Sequence, residues 1–321
     1  MNKNKKFIII GSGNSGAGAV HDYLVSRQDS FSPFNGCEFR IINDPDGLDC
    51  LYNSLYTNFN INNCALSFLR FKKYIQRSIK SNYNRKYLLY DNQVNKLTSK
   101  FINNITEINY NGAPQFYLDK FSKLEKSIFY FKRYLLKKKT REIRLLNMCL
   151  PVKKEKFLVE AVNYINNIFS LSKDYKEEKN IIINQGGSFW SPQSSTKYYG
   201  SNAYQIIVTR DPKAIFWSMK RRNSLSYPGY NLNIFVSWYK KIMENINKEE
   251  HKKTIIIKYE NFFLNFNKEK EKLCERLNIN IKDPDNFDLD YTKKNLFKFN
   301  KNLSNEEISF INKELKDYIQ C

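Results

Sequence analysis

The chain has 321 residues, of which 41% are hydrophobic and 15% aromatic, so it carries enough apolar surface for a packed core and is not a disordered tail. No apolar run approaches the roughly 18 residues that a membrane-spanning helix needs, and MNKNKK at the start leads into an apolar run too short for a signal-peptide core, so a cytoplasmic protein is expected. The net charge of +21 comes from 53 Lys and Arg against 32 Asp and Glu, with 41 Lys to 12 Arg and no nucleic-acid reading motif beside them; it reads as solvated surface that still attracts anionic ligands, and nucleic acid is not the expected partner.

Residues 7–24, FIIIGSGNSGAGAVHDYL, read as a strand, a Gly-rich turn and a helix. Gly11, Ser12, Gly13, Asn14, Ser15, Gly16, Ala17 and Gly18 then place backbone N–H groups and a helix N-terminus at the end of the strand. That arrangement holds a phosphate-bearing ligand. Taken alone, G-x-G-x-x-G also fits a dinucleotide-binding Rossmann turn, for which Glu38 supplies an acidic residue at the proper distance. An ordinary ATP or GTP loop is disfavoured, because the Lys and the hydroxyl of G-x-x-x-x-G-K-[ST] are both missing.

Further along, Cys37–Ile42 is a weak strand candidate, and Asn43-Asp44-Pro45-Asp46-Gly47 is a turn. Residues 51–176 break the strand and helix alternation. They are rich in Tyr, Phe, Lys and Asn, mostly helical in pattern, and read as an insertion on the acceptor side of a single α/β domain. Within and after them, helix spacing appears at Phe157, Leu158, Ala161, Val162, Ile165, Ile168 and Phe169, and again at Ile234, Phe235, Trp238, Tyr239 and Ile242.

Continuous apolar runs at Ile181–Ile183, Gln205–Thr209 and Thr254–Tyr259 predict strands covered on both faces, as in a parallel sheet. The expected fold is α/β, with that sheet flanked by helices. Gln185-Gly186-Gly187-Ser188-Phe189-Trp190 follows a strand and belongs at the ligand edge, with Trp190 as a stacking face. Ser304 and Glu307 form a capping box ahead of Ile308, Ile311 and Leu315. The six cysteines lack any C-x-x-C pair, so neither a zinc site nor a disulfide framework is expected, and they read as reduced thiols.

The most specific stretch is Ile206-Ile207-Val208-Thr209-Arg210-Asp211-Pro212, where a strand ends in Arg and turns into a helix with Asp211 as its cap and Ser218 eight residues after Arg210. With the Gly-rich loop, this pair resembles the PAPS-dependent sulfotransferases, in which an Arg at a strand end and a Ser eight residues on bind the donor's 3′-phosphate. In that family a G-x-x-[KR]-S-G-[TS]-[TS] loop cradles the 5′-phosphosulfate, matching Gly11 through Gly18. Ile257-Lys258-Tyr259-Glu260-Asn261-Phe262 is similar to the family's Tyr-Glu-Asp strand end, whose Tyr lies near the adenine. Leu303-Ser304-Asn305-Glu306-Glu307 is similar to the start of its C-terminal helix.

The resemblance implies transfer of a sulfuryl group from PAPS to a hydroxyl acceptor, with a polysaccharide or glycolipid as first choice, and it implies no metal. It also implies a general base, for which Glu38 leads and His21, one turn into the first helix, follows; His251 reads as solvated surface. Lys294, Lys298 and Lys301 are candidates to close over the 3′-phosphate. Three departures stand out. Asn14 occupies the family's basic position, so Asn14 itself as a neutral donor, or another cation, must serve there; Ala17-Gly18 replaces the hydroxyl pair, and Asn184-Gln185 stands where many bacterial members have Asp-Lys. The alternatives are an NAD- or FAD-dependent Rossmann oxidoreductase and a nucleotide- or polyanion-binding protein without turnover.

Overall fold

The computed structural model describes residues 4–80, 91–112, 121–138, 146–222, 227–247, 253–281 and 287–319. The chain divides into two compact units. The first comprises 1–43, 84–87 and 169–321, and the second 44–83 and 88–168.

The first unit begins with β1 (Lys6–Gly11), α1 (Ala17–Val25) and the two-residue strand β2 (Ser30–Phe31). The second contains α2 (Leu48–Tyr52), α3 (Ile61–Lys80), α4 (Asp91–Asn104), β3 (Thr106–Gly112), α5 (Lys123–Tyr130), β4 (Leu146–Pro151) and α6 (Lys154–Phe169). The first unit resumes with β5 (Asn180–Asn184), the single turn α7 (Gln193–Thr196), β6 (Ala203–Thr209), α8 (Pro212–Arg222), α9 (Leu232–Asn247) and β7 (Thr254–Lys258). It ends with α10 (Tyr259–Leu264), α11 (Phe266–Leu277), α12 (Leu289–Lys294) and α13 (Asn305–Glu314).

Five strands form one parallel sheet in the order β2-β5-β1-β6-β7. Strand β1 is central, with Ile8 opposite Ile183 on one side and Gln205 on the other, and all six of its residues are buried. Its continuous apolarity has this physical cause, because both faces are covered. Phe7 and Ile9 pack with Val20, Tyr23 and Leu24 of α1 and with Phe262, Phe263 and Leu273 of α10 and α11. A separate cluster joins Ile215, Phe216 and Met219 of α8 to Phe235 and Tyr239 of α9 and Ile311 of α13. The capping box at Ser304 forms in full: Glu307 N donates to Ser304 Oγ (3.2 Å) and Ser304 N donates to Glu307 Oε2 (3.0 Å).

Two strand expectations are corrected. Cys37–Ile42 is not a strand; β2 lies earlier, at Ser30–Phe31. Pro33 follows it, and Phe34, Asn35 and Gly36 all take positive φ, which turns the chain off the sheet before a longer ladder can form. Phe39 N returns to the sheet edge, donating to Asn184 O at 2.8 Å. Likewise β7 stops at Lys258, where its partner β6 also ends, and Tyr259 opens α10 instead of closing the strand.

The second unit has its own aromatic core of Phe71, Phe101, Phe157 and Tyr164, in which the rings of Phe101 and Tyr164 stack at 4.7 Å. Among its described residues the elements are helices and one antiparallel pair, β3 and β4. Asp44 accepts from Tyr74 Oη (3.1 Å), and Asp46 pairs with Arg70 (3.3 Å) and Arg77 (3.5 Å), so the carboxylates of that turn tie this unit to itself.

Candidate functional site

After β1 the chain leaves toward β2 on one side of the sheet, and after the adjacent β6 it leaves toward β7 on the other. Such a divergence opens a crevice at the carboxyl ends of the two strands, where parallel α/β sheets bind ligands. A cavity of about 610 Å³ lies at these ends, lined by Gly11 through Ala19 after β1 and by Arg210, Trp217 and Ser218 after β6.

The loop after β1 is shaped by two residues in the left-handed region, Asn14 (φ 68°) and Gly16 (φ 86°). A Cβ at Gly16 would lie 2.4 Å from the Tyr259 ring, and one at Gly13 would lie 2.3 Å from the Tyr227 ring, so neither position has room for a side chain. Gly11 N donates to Gln185 Oε1 (3.3 Å) and Ser15 N to Ser12 O (3.0 Å), which fixes the loop from both ends. Gly16 at the N-cap of α1 offers no side-chain cap, and the first turn holds no acidic residue. The free N–H groups and the positive end of the helix dipole are therefore uncompensated. The Ser15 hydroxyl is buried without a hydrogen-bond partner.

Arg210 is held from four directions. Its Nη1 donates to Asn14 O (3.1 Å), its guanidinium lies 4.8 Å from the centre of the Tyr259 ring, its Nε faces Glu260 Oε1 at 3.4 Å, and Tyr239 Oη donates to its carbonyl (2.8 Å). Glu260 is fully buried and also accepts from Asp211 N (3.1 Å). Burial raises its pKa above the ordinary carboxylate value, opposed by the Asp211 N–H and by Arg210. Asp211 caps α8, accepting from Lys213 N at 2.9 Å. That cap aims the helix so that Ser218 lines the cavity, with Arg221 and Arg222 three and four residues on along the same face. Arg221 lies 5.0 Å over Trp217.

Among the described residues, Arg40, Arg210, Arg221, Arg222 and Lys298 line the cavity beside one carboxylate, Glu38, which pairs with Arg40 at 3.6 Å. A concave site with this balance attracts anions. Its size suits a nucleotide, and the Gly-rich loop, the orphaned Ser15 hydroxyl and the uncapped helix supply neutral donors beside the cations.

The structure thus brings the whole loop from Gly11 to Gly18 together with Glu38, Arg210, Ser218 and Tyr259. Glu38 is exposed on the loop beyond β2, not on a strand. His21 is elsewhere: it is 5% exposed and absent from the cavity lining. Because Ser32 Oγ donates to Ile182 O (3.0 Å), His21 Nε2 is the donor in its 2.9 Å contact with Ser32, while Nδ1 meets Asp22 at 3.0 Å. Both ring nitrogens are engaged. Phe189, not Trp190, lines the cavity; Trp190 is exposed and stands edge-on to Trp238 at 6.2 Å. Lys298 lines it and Lys294 does not, while His251 and the side chain of Lys301 lie outside the described residues.

Sequence reasoning passed over Arg221 and Arg222 as site residues, although their spacing from Ser218 was a usable helical signal. It also missed Tyr227, Tyr291 and Asn295, which line the cavity and come from chain segments with no motif of their own.

No family model matches the chain, and no curated protein matches it. Among solved structures it is similar to the sulfotransferase domain of the olefin synthase of Synechococcus PCC 7002, at 11% identity over 99% of this chain and 96% of that one, with a TM-score of 0.49. It is also similar to the sulfotransferase domain of the curacin biosynthetic pathway, at 11% identity over 98% and 97% with a TM-score of 0.43. A sulfotransferase of Mycobacterium tuberculosis H37Rv aligns at 10% identity over 99% of this chain and 77% of that one, with a TM-score of 0.41.

Proposed function

We propose that the cavity binds PAPS and that the chain transfers its sulfuryl group to a hydroxyl acceptor of the carbohydrate or glycolipid class. The observation that carries this reading is the convergence of Arg210 and Ser218 with the Gly-rich loop at the divergence of β1 and β6, with Arg210 bonded to the loop at Asn14 O. In this reading the loop N–H groups and the N-terminus of α1 hold the 5′-phosphosulfate. Arg210 and Ser218 take the 3′-phosphate, assisted by Arg221 and Arg222, and Tyr259 lies near the adenine. A dinucleotide oxidoreductase would leave that group of cations without a role.

Little covalent chemistry is asked of the protein. The acceptor oxygen attacks sulfur in line, the bond from sulfur to the bridging oxygen breaks, and PAP leaves with that electron pair. The acceptor's proton passes to the Glu38 carboxylate, the carboxylate on the cavity wall. Charge accumulating on the bridging oxygen calls for a cation. The side chain at position 14 is neutral, yet the Arg210 guanidinium is bonded to the main chain of that same residue, which brings positive charge to the loop. A second reading, nucleotide binding without turnover, has Asn14 in its favour.

Thermal shift and calorimetry with PAP, 5′-AMP, ATP and NAD test the ligand class, since a ligand that binds only the folded state raises its stability. PAP should stabilise most; stabilisation by NAD and not by PAP would sink the proposal. Transfer of labelled sulfate to glycan or glycolipid acceptors then separates an enzyme from a binding protein.

A further inference from the structure

Helix α5 runs directly into a π-helical segment at Phe131–Leu135, giving one continuous helical stretch over 123–135 in the second unit. A helix of a globular protein normally turns its apolar stripe inward. This one does the reverse. Phe129, 3% exposed, is the sole buried side chain among its described residues, while Leu124 (70%), Ile128 (46%), Phe131 (52%) and Leu135 (71%) are open to solvent. Their spacing of four, three and four residues puts them on one side of the helix. Tyr130 and Tyr134, also exposed, stack on each other at 5.9 Å beside that stripe, and Leu136, just past the helix end, is exposed too.

Basic residues flank the apolar ones. Lys123, Lys126, Lys132, Arg133, Lys137 and Lys138 stand against one acidic residue, Glu125, whose carboxylate is committed to the capping box at Ser122. The capping contacts lower the Glu125 pKa and hold it ionised, so it offsets one of the six cations and five remain in excess.

An outward apolar stripe with aromatic edges and flanking Lys and Arg has the chemistry of a helix that lies in a membrane interface, its long basic side chains reaching to anionic headgroups. The helical stretch is too short to span a bilayer, and among the described residues no helix is long and apolar enough to do so. A second copy of the chain would set one cluster of cations against an identical one, and a nucleic acid would find no use for Leu124, Phe131 and Leu135.

We infer that residues 123–138 form a peripheral docking surface for an anionic lipid bilayer, lying in the headgroup region without crossing it. This inference is independent of the nucleotide cavity, so either can fail without the other.

The test uses the full chain, sedimented with vesicles of about one part phosphatidylserine to two parts phosphatidylcholine and with pure phosphatidylcholine vesicles. A chain of net charge +21 is drawn to any anionic surface, so the decisive variant keeps every charge: Leu124→Asn, Phe131→Asn and Leu135→Asn together. Wild type should bind the anionic vesicles, and the triple variant should lose at least about tenfold in affinity with an unchanged melting temperature. Phe131→Trp in an otherwise intact chain gives a second readout: brominated lipid should quench the added fluorescence. Equal binding by wild type and the triple variant, no binding by wild type, or no quenching at Trp-substituted position 131 overturns the inference. So does a wild-type dimer that the triple variant dissolves while vesicles recruit neither.

Discussion

Arg210→Met removes a guanidinium whose side chain is 11% exposed and which serves both the loop and a buried carboxylate. Its bond to Asn14 O and its position over Tyr259 are lost, and Glu260, 0% exposed, loses its cationic neighbour and must either stay charged at a cost or take up a proton. Breaking a buried pair from one side typically costs about 3 to 5 kcal/mol, most of it from the stranded charge. The variant should therefore unfold at lower urea concentration, with the m-value preserved. Glu260→Gln added to Arg210→Met removes that charge while the amide oxygen still accepts from Asp211 N. The double variant should recover about half of the loss or more. On the proposed reading PAP affinity behaves differently, because a 3′-phosphate contact would need Arg210 itself: a charge-assisted contact worth about 2 kcal/mol corresponds to roughly 30-fold in Kd, in the single and the double variant alike. Urea titration and calorimetry read the two effects separately. If the double variant is no more stable than the single one, the stranded carboxylate is not the cause; if Arg210→Met binds PAP as wild type does, the 3′-phosphate assignment is wrong.

Gly16→Ala forces a Cβ to 2.4 Å from the Tyr259 ring at φ 86°, and should cost at least about 1 to 2 kcal/mol and weaken PAP binding; unchanged thermal stability and affinity would show that the loop yields freely. Glu38→Gln should slow sulfuryl transfer by roughly a hundredfold while PAP affinity, measured by calorimetry, stays within about twofold, and an unaffected rate would remove Glu38 as the base. Lys6 is 4% exposed, donates to Tyr199 O at 2.9 Å, and is pushed down by burial from 10.5 to about 8. Between those values the unfolded chain holds a proton that the folded chain has released, so folding stability contributed by this site rises with pH, by up to about 3 kcal/mol. Lys6→Met should flatten that rise when urea unfolding is followed from pH 7.5 to 10, and parallel wild-type and variant curves would contradict it.

The elements most legible in the chain were those whose pattern is imposed by their surroundings. Residues 6–11, 180–184 and 203–209 sit inside a sheet covered on both faces, so their apolarity is continuous and a short window suffices to find them. The cap at Asp211 and the box at Ser304 and Glu307 were equally readable, because each is a contact between residues two or three apart. Cys37–Ile42 misled for the opposite reason: its apolar residues Phe39, Ile41 and Ile42 are buried, but the positive φ values just before them send the chain off the sheet.

The chain by itself determined the strand, Gly-rich turn and helix at the start of the fold, since a strand, its glycines and the helix after them are neighbours in sequence and their conformations follow from local sterics. It determined the spacing of Arg210 and Ser218 for the same reason, both being set by one strand end and one helix. Only the tertiary structure decided that these two pieces, some two hundred residues apart, meet in one cavity, that Arg40 and Lys298 join Arg221 and Arg222 around it, and that His21 turns away to Ser32. Those outcomes depend on strand order and on which buried polar group finds a partner, and both are properties of the packed chain as a whole.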